Sequence, residues 1–230
     1  MPSAAPSSGA PALRGVITDW GGVMTNPLLE TVRAWIEADD IDFDSYLAVM
    51  RAWVSAAYTD VGAANPVHAL ERGECTDAEF ERVLAAEIVR RDGTPVTADG
   101  LLARMFAASL LSDPMQHLLR GVRAAGLRTA LLSNSWGLAD YPRHLFPGLF
   151  DAVVLSAEVG MRKPEERIFR HAAALLGLAP EQCVFIDDIE ANVLAAEAIG
   201  MTGVLHMTPA ETARRLAGLL GLPALSGSPA

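Results

Sequence analysis

Asp19, Ser133, Asn134, Asp187 and Asp188 share one feature: each stands where a short apolar run ends. "GVIT" leads into Asp19, "LRTALL" into Ser133 and Asn134, and "CVFI" into Asp187 and Asp188. Arg162 and Lys163 lie after a further apolar run, just before a helical pattern. If the runs are strands of one open parallel sheet, ligands bind beyond their carboxyl ends and these side chains meet at one edge. Two or three carboxylates with a backbone carbonyl and waters make a hard oxygen site for Mg²⁺. A carboxylate beside that site can attack phosphorus and form an aspartyl-phosphate. A lysine offsets the crowded negative charge, while serine and asparagine, with nearby backbone N–H groups, hold phosphoryl oxygens. The chemistry that suits this set is phosphoryl transfer. Taken singly, each residue has a plainer reading: Asp19 as a cap or turn former, Ser133-Asn134 as a turn, Lys163 as a solvated residue before a helix. The adjacent pair Asp187-Asp188 resists such a reading, because neighbouring acids repel unless a cation or donors compensate.

The elements that must position these residues are legible as alternating patterns. Strands are expected around 15–19, at "LRTALLSNS" (127–135), "FDAVVLSAEVG" (150–160), "CVFIDD" (183–188) and "TGVLHM" (202–207). Between them, "DPMQHLLRGVRAAG" sets Met115, Leu118, Leu119 and Val122 on one helical face and stops at Gly126. "KPEERIFRHAAALLG" has Pro164 near its start, Glu165 and Glu166 in the first turn and Gly177 at its end. Strands alternating with helices imply an α/β class, a Rossmann-like open parallel sheet core with helices on both faces. The stretch 26–112 shows helical periodicity instead, with a capping box at Thr76 and Glu79. The expected organisation is a disordered leader at 1–13, a core of 14–25 and 113–225, and an all-helical cap domain over 26–112. Trp35, Tyr46, Met50, Trp53 and Tyr58 recur at near-helical spacing and read as the core of that cap.

The composition excludes several classes. The chain of 230 residues is 51% hydrophobic with a formal net charge of −10, a soluble globular balance. Nucleic acid and anionic membrane are disfavoured as partners. No stretch of about 18 uninterrupted apolar residues is present, so no membrane span is expected. Cys75 and Cys183 lie far apart in no metal-like spacing, which fits free thiols in a reducing cytoplasm. The histidines show no metal-ligand spacing; Arg51 and Arg72 are candidate cap cations for a substrate anion. "ALSGSPA" at the end reads as a frayed tail.

Four short motifs now carry a resemblance. "TDWGGVMT", "LLSNS", "RKP" and "FIDDIEAN" occur in this order between residues 15 and about 207. Together they resemble the four motifs of the haloacid dehalogenase (HAD) superfamily, in the subgroup with a helical cap after the first motif. "DDIEAN" and Val23 are similar to the phosphatase-like N-terminal domain of epoxide hydrolases and to glucose-1-phosphatase-like members. The resemblance implies Asp19 as nucleophile, Ser133 and Asn134 as phosphate binders, and Lys163 as a charge partner in catalysis and binding. It implies Mg²⁺ held by Asp19, the Gly21 carbonyl and Asp188, helped by Asp187. Asn192 is expected to hold Asp188 or the metal's waters. The implied function is hydrolysis of a small phosphorylated metabolite by a monomer or homodimer.

Gly21 departs from the pattern. Many family phosphatases carry a second Asp there, which protonates the leaving oxygen and later activates water. General acid–base help of this kind is worth about 10²–10⁴ in rate. Three expectations follow: a phosphatase acting on good leaving groups such as an anomeric sugar phosphate, a catalytically weak ligand- or partner-binding domain, or a 2-haloacid dehalogenase. The acid pair in the fourth motif weighs against the last.

Overall fold

A computed structural model describes residues 12–59, 65–137 and 141–223, with the side chains of 54–59 excepted. The expected tail, most of the expected leader, and the Tyr58 side chain fall outside the described residues. In chain order the elements are β1 (Gly15–Thr18), α1 (Leu28–Ala38), α2 (Phe43–Thr59), α3 (Pro66–Glu71), α4 (Asp77–Glu87), α5 (Leu101–Phe106), α6 (Asp113–Ala124) and β2 (Arg128–Ser133). There follow α7 (Phe146–Leu149), β3 (Ala152–Leu155), α8 (Ser156–Val159), α9 (Glu166–Leu175), β4 (Cys183–Asp187), α10 (Glu190–Ala198), β5 (Thr202–Leu205) and α11 (Pro209–Leu220).

Among the described residues the strands form one parallel sheet of order β3-β2-β1-β4-β5. Successive strand residues face opposite sides, and each side is filled. Val16, Leu131, Val184 and Ile186 pack with the apolar faces of α6, α7 and α11. Ile17, Ala130, Leu132 and Phe185 pack with those of α9 and α10. Burial on both faces explains why these strands read as continuous apolar runs. The register pairs Thr18 with Leu131 on one side and with Ile186 on the other. Asp19 therefore leaves the sheet beside Asp187, and its own N–H donates to the Ile186 carbonyl at 2.9 Å. After β1 the chain builds the β2-β3 side, then returns to β1 with β4. The β1–β4 junction is thus the point where strand order reverses, which is where such sheets bind ligands.

The helices α1–α5 gather a separate apolar core around Trp35, Ile41, Phe80, Leu84, Leu101 and Met105. The capping box is present: Thr76 Oγ1 accepts from the Glu79 N–H, and Glu79 accepts from the Thr76 N–H. The two ends of this helical stretch meet the α/β layer side by side. Thr25 bridges Leu111 in antiparallel fashion, the Asn26 N–H donates to the Leu110 carbonyl, and the Ser112 N–H donates to the Met24 carbonyl at 2.8 Å. No helix among the described residues is long and apolar enough to cross a membrane.

Three boundaries differ from the sequence expectation. The run at 150–160 is a strand only over Ala152–Leu155; Ser156–Val159 turns into a short helix. The helix after Lys163 begins at Glu166, with Glu165 as its N-cap residue, so Pro164 precedes it. The pattern at 76–91 is helical only to Glu87, after which Val89 and Arg90 make isolated bridges to Pro95 and Ile41.

Candidate active site

The sheet edge collects the expected side chains. The ammonium of Lys163 lies between two carboxylates, 2.8 Å from Asp19 Oδ1 and 2.6 Å from Asp187 Oδ2. Lys163 is only 1% exposed, so its charge depends on those partners rather than on water. Burial opposes that charge, but Asp187 and Asp19 more than overcome it and hold the lysine above its ordinary pKa. Its backbone is clamped as well. Asn134 Nδ2 donates to the Lys163 carbonyl at 3.0 Å, and the Lys163 N–H donates to Asn134 Oδ1 at 2.8 Å. Asn134 lines the cavity, yet both ends of its amide serve the lysine loop. It positions Lys163.

Asp187 is buried and fully engaged. Besides Lys163 it accepts from the Ile189 N–H at 2.8 Å and from Asn192 Nδ2 at 3.2 Å on each oxygen. Asn192 Nδ2 thus holds Asp187, where sequence reasoning assigned the residue to Asp188 or the metal's waters. Asp188, less buried, faces the cavity with Asp19 and Gly21. Carboxylate oxygens of Asp19, Asp187 and Asp188 lie within 4.8 Å of one another. Burial pushes the Asp19 carboxyl up to about 7; Lys163 pulls it down, and Asp187 and Asp188 push it up again. Asp188 is pushed up to about 6 by burial and by Asp187. Gly22 makes room for this crowding. Its φ is +76°, and a Cβ there would overlap the Asp188 carboxylate. Such a backbone favours glycine.

A divalent cation fits these residues. The donor set is all oxygen, as a hard ion requires, and three acids against one lysine leave uncompensated negative charge. Asn192 Oδ1 is buried with no hydrogen-bond partner and lines the same cavity, a placement suited to a cation's bound water.

Residues absent from the sequence reading complete the site. Ser133 Oγ lies 2.9 Å from the Tyr141 hydroxyl. Burial raises the Tyr141 pKa, so that hydroxyl stays protonated. Tyr141 packs on Trp20, which packs on Phe146. Glu71 on α3 pairs with Arg162 and accepts from Trp136 Nε1. Arg162 is therefore buried toward the helical layer. Arg72 pairs with Glu74 and Glu165, and Arg51 lines the cavity. His68 is buried in α3 and lies outside the cavity lining. The pairing of Glu71 with Arg162 joins segments that only the fold brings together, and Tyr141, eight residues after Ser133, stands in no motif that marks it.

The model of the haloacid dehalogenase-like hydrolases matches residues 13–200. The chain belongs to that family. Relatives include mouse (Mus musculus) acyl-CoA dehydrogenase family member 10, 30% identical over 96% of this chain, and rat (Rattus norvegicus) bifunctional epoxide hydrolase 2, 24% identical over 91%. The chain spans only 20% and 39% of the lengths of those two proteins. Hexitol phosphatase A of Escherichia coli is 31% identical over 74% of this chain and 81% of its own length. A HAD family enzyme from Bacteroides thetaiotaomicron, solved with magnesium and inorganic phosphate, shares the fold at a TM-score of 0.58. It is 21% identical, over 85% of this chain and 95% of that one.

Proposed function

We propose that this HAD-like hydrolase is a Mg²⁺-dependent phosphatase acting on a small phosphomonoester through an aspartyl-phosphate on Asp19. The observation that carries the reading is the Asp19–Lys163–Asp187 charge chain, with Asp188 beside it, at the sheet edge facing a cavity. Hexitol phosphatase A among its relatives supports it, as does a fold neighbour that holds magnesium and phosphate. Asp19, Asp188 and the Gly21 carbonyl would hold the ion, with Asp187 beside them, and the ion would supply charge neutralisation for nucleophile and phosphoryl group.

The Asp19 carboxylate attacks phosphorus, and the bond from phosphorus to the substrate oxygen breaks. Lys163 offsets charge on the transferring group, and Ser133, with backbone N–H groups near Asn134, binds its oxygens. Gly21 offers no acid, so the departing oxygen takes its proton from water. Water then attacks the aspartyl-phosphate, releasing inorganic phosphate and restoring Asp19. The helical layer over the cavity acts as the cap that shuts out bulk solvent. A haloacid site is disfavoured because a neutral reacting carbon gives no use to three converging carboxylates.

The test is phosphate release from a panel of phosphate esters with Mg²⁺ and with chelator. Metal-dependent release is expected, and Asp19→Asn is expected to reduce it at least about a thousandfold with an unchanged circular dichroism spectrum. An Asp19→Asn protein that retains most activity removes the nucleophile assignment. Silence across the panel, with ligand-induced thermal stabilisation, moves the reading to a binding domain, which Gly21 alone favours.

A further inference from the structure

The cavity in front of Asp19 has a volume of about 830 Å³, toward the top of the roughly 300–1,000 Å³ range of small-molecule sites. A phosphoryl group occupies a small part of it. Leu28, Leu29, Leu47, Met50, Met105 and Phe106 wall much of the remainder. Leu28 and Leu29 are 47% and 56% exposed, so the apolar wall continues to the surface.

Several polar groups of this wall are turned toward each other, while Arg51, Ser109 and Tyr46 line it as well. Glu71, the one carboxylate of the lining apart from Asp19 and Asp188 among the described residues, accepts from Arg162 and Trp136. Thr25 Oγ1 donates to the Asn26 carbonyl and accepts from the Gly22 N–H, and Thr31 Oγ1 donates to Asn26 Oδ1. A polyhydroxylated alcohol entering here would lose its water and meet few partners, which is costly. An apolar alcohol would gain by leaving water.

We infer that the site takes phosphate monoesters of apolar alcohols in preference to sugar phosphates; this rests on the phosphomonoesterase reading above. The bond broken is the one between phosphorus and the alcohol oxygen. Water supplies the oxygen that ends on phosphate and the proton that ends on the alcohol.

Four esters of primary alcohols separate the tail from the leaving group: n-octyl, n-butyl, glycerol 1- and glucose 6-phosphate, each with Mg²⁺. Each buried methylene multiplies affinity about fourfold, so kcat/KM is expected to rise at least ~50-fold from butyl to octyl, mainly through KM. Octyl phosphate is expected to exceed glucose 6-phosphate by a similar factor or more. Leu29→Gln, at an exposed position, and Met50→Gln are each expected to cut the octyl-to-butyl ratio about threefold or more. Mg²⁺-dependent release that is flat with chain length, or that favours the sugar ester, overturns the inference and leaves the phosphatase reading standing. Release from none of the four, nor from acetyl phosphate, overturns the phosphatase reading instead. Calorimetric affinities for n-octyl- and n-butylphosphonate then decide the pocket, and equal affinities overturn it.

Discussion

At the residue scale, Gly21 is a glycine that the backbone does not require. It lies outside the set of glycines with positive φ, and a Cβ built on it meets nothing within 4 Å. Its neighbour Gly22, at φ +76° against Asp188, is the position that geometry reserves for glycine. The missing acid is therefore a chemical choice, and Gly21→Asp should fold normally. Supplying a proton donor beside Asp19 is expected to raise turnover of alkyl phosphates, with poor leaving groups, by about 10²-fold. It should change aryl phosphate turnover little. Steady-state rates on one ester of each kind check this; equal gains for both would show that position 21 acts on binding instead. The identities of Asp19, Lys163, Ser133 and the acid pair were legible because each follows an apolar run. Their mutual roles were not: the amide of Asn134 turned out to hold Lys163, and that of Asn192 to hold Asp187, contacts that depend on loop paths no spacing encodes.

At the scale of elements, the β1–β4 junction places Asp19 beside Asp187 and β5 supports it. The His206 N–H donates to the Asp187 carbonyl at 2.9 Å, and its ring Nδ1 lies 2.8 Å from Thr212 Oγ1 at the start of α11. Burial lowers the His206 pKa from its ordinary 6.5, with Glu211 opposing. The unfolded chain then binds a proton more readily than the folded one, so stability is fully present above pH 6.5 and is lost as pH falls below it. Asp19 and Asp188, held above the ordinary carboxylate range, act in the opposite sense over the same interval, so the His206 contribution is read as a difference: on going from pH 7.5 to pH 5 the unfolding midpoint of the parent should change less favourably than that of His206→Asn. A slope unchanged in the variant would assign the acid sensitivity to other groups. The strands were readable from their apolar runs, but their ends were not. The run at 150–160 ends in "SAEV", where Val159 still packs against the core although Ser156–Val159 has become a short helix.

At the scale of the whole molecule, α3 fastens the helical layer to the α/β layer beside the loop that carries Lys163. Glu71 pairs with Arg162, Arg72 pairs with Glu165 at 3.3 Å, and Gly73 packs closely on the Ala157 carbonyl. Removing one partner of a buried pair costs up to about 3–5 kcal/mol. Glu71→Gln is expected to lower the unfolding midpoint accordingly and to speed amide exchange across α3; a midpoint within error of the parent would show that the pair contributes nothing. The alternation of strands and helices announced the layer that carries the motifs, and helical periodicity announced the inserted one. Their mutual fastening joins residues about ninety positions apart, which local pattern does not reach. The join on the other side has a different consequence. The chain leaves the α/β layer at Met24 and rejoins it at Ser112, and those two residues share a backbone hydrogen bond. Everything between them is an excursion that begins and ends at one spot. That excursion can be replaced or lengthened without rethreading a single strand, so the apolar wall over the cavity can change while the sheet edge that carries Asp19, Lys163 and Asp187 keeps its geometry.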